Sequence, residues 1–330
     1  MGITVAVTGP TGEIGVSAVT ALEHEPSVDR VLGMARRPFD PSTHGWQKTE
    51  YRQGDILDAE AVAGLVEDAD VVVHLAYLIM GSREESRHIN LTGTRNVFEA
   101  TVRAARPRRL VYTSSVAAYG YHPHNPQPLT EDVPARGSEE HYYSAQKAEC
   151  ESLLAETTAG SDLDVYVLRP CIVAGERATA LADSMPWRQL SDLLPEPVRK
   201  AIAAVPGLRP VLPDPGIPIQ LVHHDDVASA IAAATTVEGA TGPYNLAADG
   251  VISFSDIAAA LGATAVPVPR AAATAASEVL ARLPWVPAIA EWLHVARTPV
   301  VMDTSKAKRE LGWKPQYSSE ETLAAMAAAL

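Results

Sequence analysis

The sequence predicts an α/β fold: a doubly wound parallel sheet with helices on both faces, followed by a smaller, mostly helical C-terminal lobe. Two observations predict it. Strand-like apolar runs alternate with helical patterns through the first half of the chain, which is the order of a parallel sheet. After Pro170 the composition changes, since prolines crowd between Pro186 and Pro218 and the chain then becomes rich in alanine. No segment resembles a linker, so the lobe is expected to form from excursions out of the sheet domain.

The first half contains six predicted strands, each a short apolar run. They span residues 3–7, 31–35, 49–53, 71–75, 110–114 and 165–168. The fourth, VVVHL, begins with three β-branched residues, which indicates burial on both faces. Helical spacing at 16–22, 82–106 and 141–156 supplies covering helices, and Ser82 is a suitable N-cap for the second of them.

The predicted elements of the second half are fewer and shorter. An amphipathic helical stretch is predicted at 194–205, within the proline-rich part. Residues 219–222 are predicted to form a strand that rejoins the sheet, followed by a helix from Asp225 and a strand at 243–246. The alanine-rich remainder is predicted to be helical.

The composition excludes several classes of protein. With 330 residues, 47% apolar and 20% charged, the chain is predicted to be globular and soluble. A formal net charge of −13 argues against nucleic acid or an anionic membrane as partner, because both require basic surface. We expect no membrane span, because no apolar run reaches about 18 residues. We expect no signal peptide either, because the chain enters a strand at once.

Cysteine and histidine usage bears on location and on metals. The two cysteines, Cys150 and Cys171, lie far apart in the sequence and favour a reduced, cytoplasmic protein. The pair His223/His224 has no cysteine or carboxylate at zinc-ligand spacing, and neither has His122/His124. No metal site is therefore expected.

Three glycines follow the first strand at the point where a helix begins. Gly9 allows a tight turn, Gly12 lets a pyrophosphate approach the backbone, and Gly15 lets the helix pack close to the strand. The N-terminus of that helix would face the phosphates with unpaired N–H groups and the positive end of its dipole. A strand, a glycine turn and a helix in this order favour dinucleotide binding over a purely structural turn.

Tyr143 and Lys147 are four residues apart on a predicted helix, so both side chains project from one face. A free tyrosine has a pKa of about 10, and a neighbouring ammonium stabilises the phenolate and lowers that pKa. Such a tyrosine can take a proton from an alcohol, or return one to a carbonyl, while hydride moves to or from a nicotinamide. The alternative is an exposed aromatic residue beside a solvated lysine.

The fifth predicted strand ends in three hydroxyl residues, Thr113, Ser114 and Ser115. The C-terminal ends of parallel strands face the crevice where ligands bind in such sheets. A hydroxyl there could hold a substrate oxygen beside the tyrosine. The alternative is a serine that caps a turn.

Further motifs occur in order along nearly the whole chain. They are TGPTGEIG (8–15), GDILD (54–58), HLA (74–76), NLTGTRNV (90–97), VYTSSVAAYG (111–120), YSAQK (143–147), LRP (168–170), HHDDV (223–227), YNLA (244–247) and LGWKP (311–315). As a set they resemble the extended short-chain dehydrogenase/reductase family. Nucleotide-sugar epimerases, dehydratases and hydroxysteroid dehydrogenases belong to that family.

The resemblance implies a Rossmann sheet and assigns roles by position. Ser115 matches the catalytic Ser/Thr, Tyr143 the acid/base, and Lys147 the residue that lowers the pKa of the tyrosine and binds the nicotinamide ribose. The other implied cofactor-binding positions are Gly9, Thr11, Gly12, Glu13, Ile14 and Gly15 in the turn, Asp55 and Ile56 at the adenine, Leu75, Ala76 and Tyr77 along the centre, Asn90 as support, and Pro170 and Val173 at the nicotinamide. The helices near 82–105 and 140–156 often form a four-helix interface in the family, so a homodimer is expected.

The end of the second strand departs from the family pattern. Family members that use NAD usually carry an acid there, which binds the ribose hydroxyls. This chain has Ala35, followed by Arg36 and Arg37. Without an acid to repel it, and with arginine in reach, a 2′-phosphate is better accommodated. We therefore predict NADP as the cofactor, with NAD possible; the alternative is two solvated arginines.

A second departure concerns the substrate. Nucleotide-sugar enzymes commonly carry Arg-Asp in the strand before HHDDV, and that arginine binds the diphosphate; here the pair is Ile219-Gln220. The stretch before it is mostly apolar, which favours an uncharged small molecule over a sugar diphosphate. The alternative is that Arg188 or Arg209 serves the phosphates from another position.

The leading hypothesis is an NADP-dependent oxidoreductase that interconverts a carbonyl and a secondary alcohol on a largely apolar small molecule. The alternatives are a nucleotide-sugar epimerase or dehydratase that holds NAD(P) tightly, and a non-catalytic NAD(P)-sensing protein. The predicted dinucleotide-binding domain comprises 1–173 and 219–247. The predicted substrate lobe comprises 174–218 and 248–330.

Overall fold

The protein is described from a computed structural model, which covers residues 2–79, 82–185, 187, 209–269 and 298–330. The amphipathic stretch predicted at 194–205, Arg188, and much of the alanine-rich remainder lie outside the described residues. None of the helices in this part of the chain is long and apolar enough to cross a membrane.

The central feature is a sheet of seven parallel strands. They are β1 (Ile3–Thr8), β2 (Val28–Ala35), β3 (Thr49–Gln53), β4 (Val71–His74), β5 (Arg109–Thr113), β6 (Asp164–Pro170) and, after three further strands, β10 (Gly242–Leu246). Their spatial order is β10-β6-β5-β4-β1-β2-β3, with every pair parallel. The order reverses between β1 and β4, so the crevice at their C-terminal ends is the expected ligand site of such a sheet. The predicted α/β class is confirmed.

Helices cover both faces of this sheet and also pack against the strands outside it. They are α1 (Glu13–His24), α2 (Ala59–Val66), α3 (Arg83–Arg87), α4 (Gly93–Arg103), α5 (Tyr142–Thr158), α6 (Ala180–Asp183), α7 (His224–Thr236), α8 (Phe254–Ala260), α9 (Ser305–Glu310) and α10 (Ser319–Ala328). In β1, Val5 and Val7 belong to the core beneath α1 and α7, whereas Ala6 between them belongs to the core beneath α2, α4 and α5. This alternation puts apolar side chains on both faces, which explains the unbroken apolar run of β4.

The strand predicted at 219–222 does not rejoin the main sheet, and this prediction is wrong. Here β9 (Leu221–His223) pairs in parallel with β7 (Ile172–Ala174) in a separate two-stranded sheet. The reason is that β10 occupies the edge of β6, and the N–H of Cys171 donates to the carbonyl of Leu246 (2.9 Å) where β6 ends. The remaining strands, β8 (Val211–Asp214) and β11 (Thr264–Pro267), form a second small sheet.

The helix predicted at 82–106 is interrupted. Ser82 caps it as predicted, since its Oγ accepts from the N–H of Glu85 (3.1 Å), but α3 gives way to a π-helical turn at His88–Thr92 before α4 begins. Asn90 lies in that turn, fully buried, and its amide nitrogen donates to the carbonyl of Leu78 and to Gln146 Oε1 (both 3.0 Å). The wider turn therefore places a buried polar side chain against the neighbouring loop, as such turns often do near functional sites.

Candidate functional site

A groove lies at the reversal of strand order, along the C-terminal ends of β2, β1 and β4. Most of the predicted cofactor contacts of its adenine half and centre line it: Gly9, Thr11, Gly12, Arg36, Arg37, Asp55, Ile56, Leu75, Ala76 and Tyr77. Met34, Ala35, Gly54, Leu78 and Ile89 line it as well, without having been predicted as cofactor contacts. Gly54 opens the GDILD motif and Ala35 ends the second predicted strand, but the sequence carries no signal that Met34, Leu78 and Ile89 reach the groove.

The glycine turn at one wall of the groove has no room for side chains. Gly9 has φ +76°, and a Cβ there would lie 2.8 Å from the backbone nitrogen of Ala76. At Gly15 a Cβ would lie 2.1 Å from the carbonyl oxygen of Gly9, so α1 packs directly on the turn. At Gly12 the nearest atom would be 3.6 Å away and the residue is exposed. The open Gly12 and the unpaired N–H groups of the first turn of α1 fit a pyrophosphate.

His74 fixes the wall behind this turn. Its Nδ1 lies 2.7 Å from Thr8 Oγ1 and its Nε2 lies 3.0 Å from Thr94 Oγ1, which joins β1, β4 and α4. Complete burial lowers the pKa of His74 to about 3, with Lys147 contributing further. The imidazole is therefore neutral at ordinary pH and acts as a structural hydrogen-bonding group.

Two arginines, Arg36 and Arg37, lie at the edge of the groove where the adenine end of a dinucleotide is predicted to bind; we call this edge the rim. Arg36 and Arg37 are exposed, and neither guanidinium makes a hydrogen bond or ion pair with any residue that the structure describes. Opposite them, Asp55 Oδ1 accepts from the N–H of Leu57 (3.0 Å), and Ile56 is buried against Gly93. The rim is therefore basic and has cationic donors available for an anion.

The catalytic candidates lie on adjoining elements. Tyr143 is in the first turn of α5, which His141 caps by accepting from the N–H of Ser144 (3.1 Å). The hydroxyl of Ser144 donates to the carbonyl of Ala117 (2.6 Å), within the short 3₁₀ turn Val116–Tyr119. Ser115 caps that turn, with its Oγ accepting from the N–H of Ala117 (3.2 Å). One hydrogen bond thus ties the segment of Ser115 to the segment of Tyr143.

The structure gives different surroundings to the three hydroxyl residues at the end of β5, of which Thr113 is the last residue of the strand. Ser114 donates to Glu151 Oε1 (2.6 Å), and Glu151 in turn holds the buried guanidinium of Arg169 (2.6 and 3.0 Å). Thr113 Oγ1 is buried and has no hydrogen-bond partner among the described residues. Ser115 caps the 3₁₀ turn that is hydrogen-bonded to Ser144 in the first turn of α5, and its catalytic role stays a prediction.

Lys147 is almost completely buried. Its Nζ donates to the carbonyl of Thr113 (3.0 Å), lies 3.7 Å from the centre of the Tyr77 ring and lies 5.9 Å from the centre of the Tyr143 ring. Burial lowers the pKa of Lys147 to about 8, against the opposing influence of Cys150 and Glu151. The ammonium makes no other hydrogen bond with the described residues, so two N–H groups remain for a ligand.

Tyr77 links the groove to the catalytic candidates. The sequence predicted Tyr77 as a cofactor contact but gave no sign of its contact with Lys147 and Tyr143. Its ring lines the groove, faces the ammonium of Lys147, and packs edge-on against the ring of Tyr143 with centroids 5.7 Å apart. A cation over an aromatic face offsets part of the cost of burying the charge. A single tyrosine after a strand carries no signal of this contact, because its partner comes from a helix about 70 residues later in the sequence.

The other predicted cofactor contacts lie around the groove without lining it. Glu13 is exposed at the start of α1, Ile14 is half-buried beside it, and Gly15 is buried. Asn90 supports the wall from behind, as its bonds to Leu78 and Gln146 show. Pro170 ends β6 and Val173 lies in β7, away from the adenine half. Their contact with a cofactor stays a prediction.

Glu176, His223 and His224 form a cluster at the junction of β7, β9 and α7, and their spacing approaches that of a metal site. The ring nitrogens, however, are already engaged. The N–H of Asp225 donates to His223 Nδ1 (3.2 Å), so the ring proton is on Nε2, which faces Glu176 (3.0 Å). The N–H of Arg177 donates to His224 Nε2 (3.3 Å), so that proton is on Nδ1, facing Asp225 (2.9 Å). The cluster is accounted for as a hydrogen-bond network, although no sequence spacing indicated that a carboxylate would reach these histidines.

Comparison with known proteins agrees with this fold. The family model described as "NAD dependent epimerase/dehydratase family" matches residues 5–247. The chain therefore belongs to the NAD-dependent epimerase/dehydratase family, and the resemblance inferred from its motifs is confirmed. Among curated proteins, human 3 beta-hydroxysteroid dehydrogenase type 7 is 32% identical over 197 residues, covering 54% of this chain and 52% of that protein.

Two solved structures match along nearly the whole length. A short-chain dehydrogenase/reductase superfamily protein from Agrobacterium tumefaciens, with bound NAD, has a TM-score of 0.72 and 22% identity, covering 99% of this chain and 96% of that one. UDP-glucuronic acid 4-epimerase from Bacillus cereus, in complex with NAD, has a TM-score of 0.72 and 19% identity, covering 99% and 98%. At these identities, the two structures support the fold.

The burial of Lys147 predicts a pH dependence of stability. The pKa of Lys147 is lowered from 10.5 to about 8 in the folded protein. Between these values the unfolded chain binds the extra proton and the folded protein does not, so folding becomes more favourable as pH rises. We expect the stability of the coenzyme-free protein, relative to Lys147→Met, to increase by up to about 3 kcal/mol between pH 8 and 10.

Urea denaturation of both proteins across this pH range measures the difference. Lys314→Met, which removes an exposed lysine, is the control and should show a flat difference. A flat difference for Lys147→Met as well would mean that its ammonium is not desolvated.

Proposed function

We propose that the protein is an NADP-dependent oxidoreductase that interconverts a carbonyl and a secondary alcohol on a largely apolar small molecule. The observation that carries the proposal is the burial of Lys147 beside Tyr143, at the end of a groove whose glycine turn leaves room for a dinucleotide. A buried cation close to a phenol favours the ionised form of the phenol, which suits a group that must exchange a proton. Bound NADP(H) supplies or accepts the hydride.

Each of the three residues has its own role in the proposed reaction. In the reductive direction, Tyr143 gives its hydroxyl proton to the carbonyl oxygen and the hydride adds to the carbonyl carbon, which produces the alcohol. Ser115 holds the substrate oxygen by a hydrogen bond. Lys147 stabilises the tyrosinate that remains, and its two N–H groups without a partner among the described residues would hold the ribose hydroxyls of the cofactor. The oxidative direction reverses these steps.

The acid/base role predicts a large effect of one atom. Tyr143→Phe removes only the hydroxyl, and we expect turnover to fall by roughly 100- to 10,000-fold, because proton transfer loses its donor. NADPH binding should change little, as fluorescence titration can measure. Tyr142→Phe is the matched control, since Tyr142 is the neighbouring residue on α5 and its hydroxyl lies near the carbonyl of Ile79 (3.4 Å). Full activity of Tyr143→Phe would refute the assignment.

NADP is proposed over NAD because of the charge at the rim. The acid that would repel a phosphate is absent at Ala35, and the two adjacent guanidinium groups have no partner among the described residues. The A. tumefaciens and B. cereus structures contain NAD. The proposal of NADP therefore rests on the missing acid and the two arginines at this rim, and not on the similarity to those structures.

This preference can be measured directly. We expect NADPH to bind more tightly than NADH, and Arg36→Ala to raise the Kd of NADPH by about tenfold or more while leaving that of NADH nearly unchanged, because a charge-assisted hydrogen bond is lost. Arg103→Ala, at an exposed arginine on α4, controls for the general loss of positive charge. Tighter binding of NADH by the unaltered protein would overturn the preference.

The proposed substrate is apolar and uncharged. Ile219, at the position where nucleotide-sugar enzymes carry arginine, is buried with Ile217, Leu212 and Ile257 in the core of the second lobe. Gln220 is engaged through both side-chain atoms with the backbone of Met302 (2.7 and 3.4 Å). Arg209 is exposed, and it remains available as an alternative phosphate ligand. The human relative's name, a hydroxysteroid dehydrogenase, is consistent with this substrate class.

A second candidate is a nucleotide-sugar epimerase or dehydratase that oxidises its substrate transiently and keeps its cofactor. The family match and the whole-length similarity to the B. cereus epimerase favour it. Absorbance at the reduced-nicotinamide band separates the two. Net oxidation or reduction of added NADP(H) with ketones or alcohols supports the first candidate, whereas conversion of a UDP-sugar without net absorbance change supports the second. The third possibility, a cofactor sensor, would leave cellular function intact in Tyr143→Phe.

The assembly and location are proposed from the resemblance and the composition. We propose a cytoplasmic homodimer in which the helices near 82–105 and 140–156 form the interface, and a division into a cofactor domain (1–173 and 219–247) and a substrate lobe (174–218 and 248–330). The chain has a mass of 35.1 kDa, so light scattering after size-exclusion chromatography should return twice that mass. A mass of one chain at micromolar concentration would refute the dimer.

A further inference from the structure

The backbone that carries the two rim arginines is held from below by side chains of the next strand. The carbonyl oxygens of three consecutive residues, Ala35, Arg36 and Arg37, all accept such hydrogen bonds. The hydroxyl of Tyr51 lies between the carbonyls of Ala35 (2.8 Å) and Arg37, and shares its proton between them. The amide nitrogen of Gln53 donates to the carbonyl of Arg36 (2.9 Å).

These bonds restrain a segment that is otherwise open to water. The segment follows the end of β2 and is exposed, so water could satisfy its carbonyls, and such a segment is ordinarily free to move. Holding it reduces the conformational entropy that is lost when the arginines close on an anion. It also directs the negative ends of three peptide dipoles to donors on β3, where they do not compete with an anion for the guanidinium groups.

Tyr51 is itself supported by a cluster of aromatic rings. Its ring packs against Phe39 (5.5 Å between centroids), which packs against Trp46 (5.4 Å). Trp46 Nε1 donates to Thr20 Oγ1 (3.1 Å) on α1, the helix whose first turn faces the groove. Burial raises the pKa of Tyr51, so its hydroxyl keeps the proton that it donates. The arginine segment is thus connected through Tyr51, Phe39 and Trp46 to α1.

We infer that Tyr51 and Gln53 are positioning residues for coenzyme selectivity, which hold Arg36 and Arg37 where both can reach the 2′-phosphate of NADP. Neither residue lines the groove, so each acts through the arginine backbone. The inference rests on the proposed preference for NADP and extends it to residues that never contact the cofactor.

Tyr51→Phe tests the inference, because it removes the hydroxyl and keeps the ring in its aromatic contacts. We expect the Kd of NADPH to rise about fivefold while that of NADH stays within about twofold, since the loss of one such hydrogen bond releases the segment. Tyr166→Phe is the matched control: it also removes a hydroxyl bonded to a backbone carbonyl, that of Gly239 (3.0 Å), but far from the rim. Gln53→Met provides an independent variant should Tyr51→Phe fold poorly.

A double-mutant cycle separates positioning from general damage. In a background that carries Arg36→Ala and Arg37→Ala, Tyr51→Phe should have no further effect on either coenzyme. Three results would overturn the inference. Tyr51→Phe could weaken the binding of NADPH and NADH equally, it could raise the Kd of NADPH as much in the background without the arginines as in the unaltered protein, or it could leave both Kd values unchanged. If the double arginine variant alone leaves NADPH binding unchanged, the NADP proposal itself fails. If that variant weakens NADPH binding and Tyr51→Phe and Gln53→Met do not, only the positioning role fails.

Discussion

The architecture depends on one close approach, between the backbone of the glycine turn and the start of α1. A methyl group at Gly15 would overlap the carbonyl of Gly9, and one at Gly9 would overlap the backbone of Ala76. Because these contacts are made backbone to backbone, β1, α1 and the end of β4 meet without intervening side chains. The unpaired N–H groups of the helix then point into the crevice at the reversal of strand order. The crevice that fits a dinucleotide is therefore shaped by backbone packing.

At the other end of the groove, the determining constraint is a buried charge. The ammonium of Lys147 is desolvated; it donates to the carbonyl of Thr113 and lies 3.7 Å from the centre of the Tyr77 ring, its nearest aromatic neighbour among the described residues. Such an arrangement is costly for folding, since the pKa of Lys147 falls to about 8, and a globular protein would more often place a hydrophobic residue there. A cost of this kind, beside a tyrosine and at the edge of a ligand groove, is characteristic of sites where the charge acts on a substrate or cofactor.

Local sequence patterns predicted correctly those features that depend on one helix or strand alone. The bounds of β3, the cap at Ser82 and the four-residue spacing of Tyr143 and Lys147 follow from neighbours along the chain, and the structure agrees with each. They failed where two elements compete. The strand at 219–222 had an apolar pattern suited to the main sheet, but β10 holds the available edge. The π-helical turn at Asn90 was not predicted either, because the partner of its buried amide lies in a loop outside the helix.

The order of the six strands in the first half, the glycine turn, the pair on α5 and the family could be predicted from the amino-acid sequence, because each is a short-range pattern of size, polarity and backbone freedom. Folding in three dimensions added what depends on distant partners: the ring of Tyr77 against the lysine, Glu176 against two histidines, and Tyr51 and Gln53 beneath the arginines. These contacts join residues that are 14 to 70 positions apart in the chain. Their geometry is set by how strands and helices pack, and no local pattern of residues carries that information.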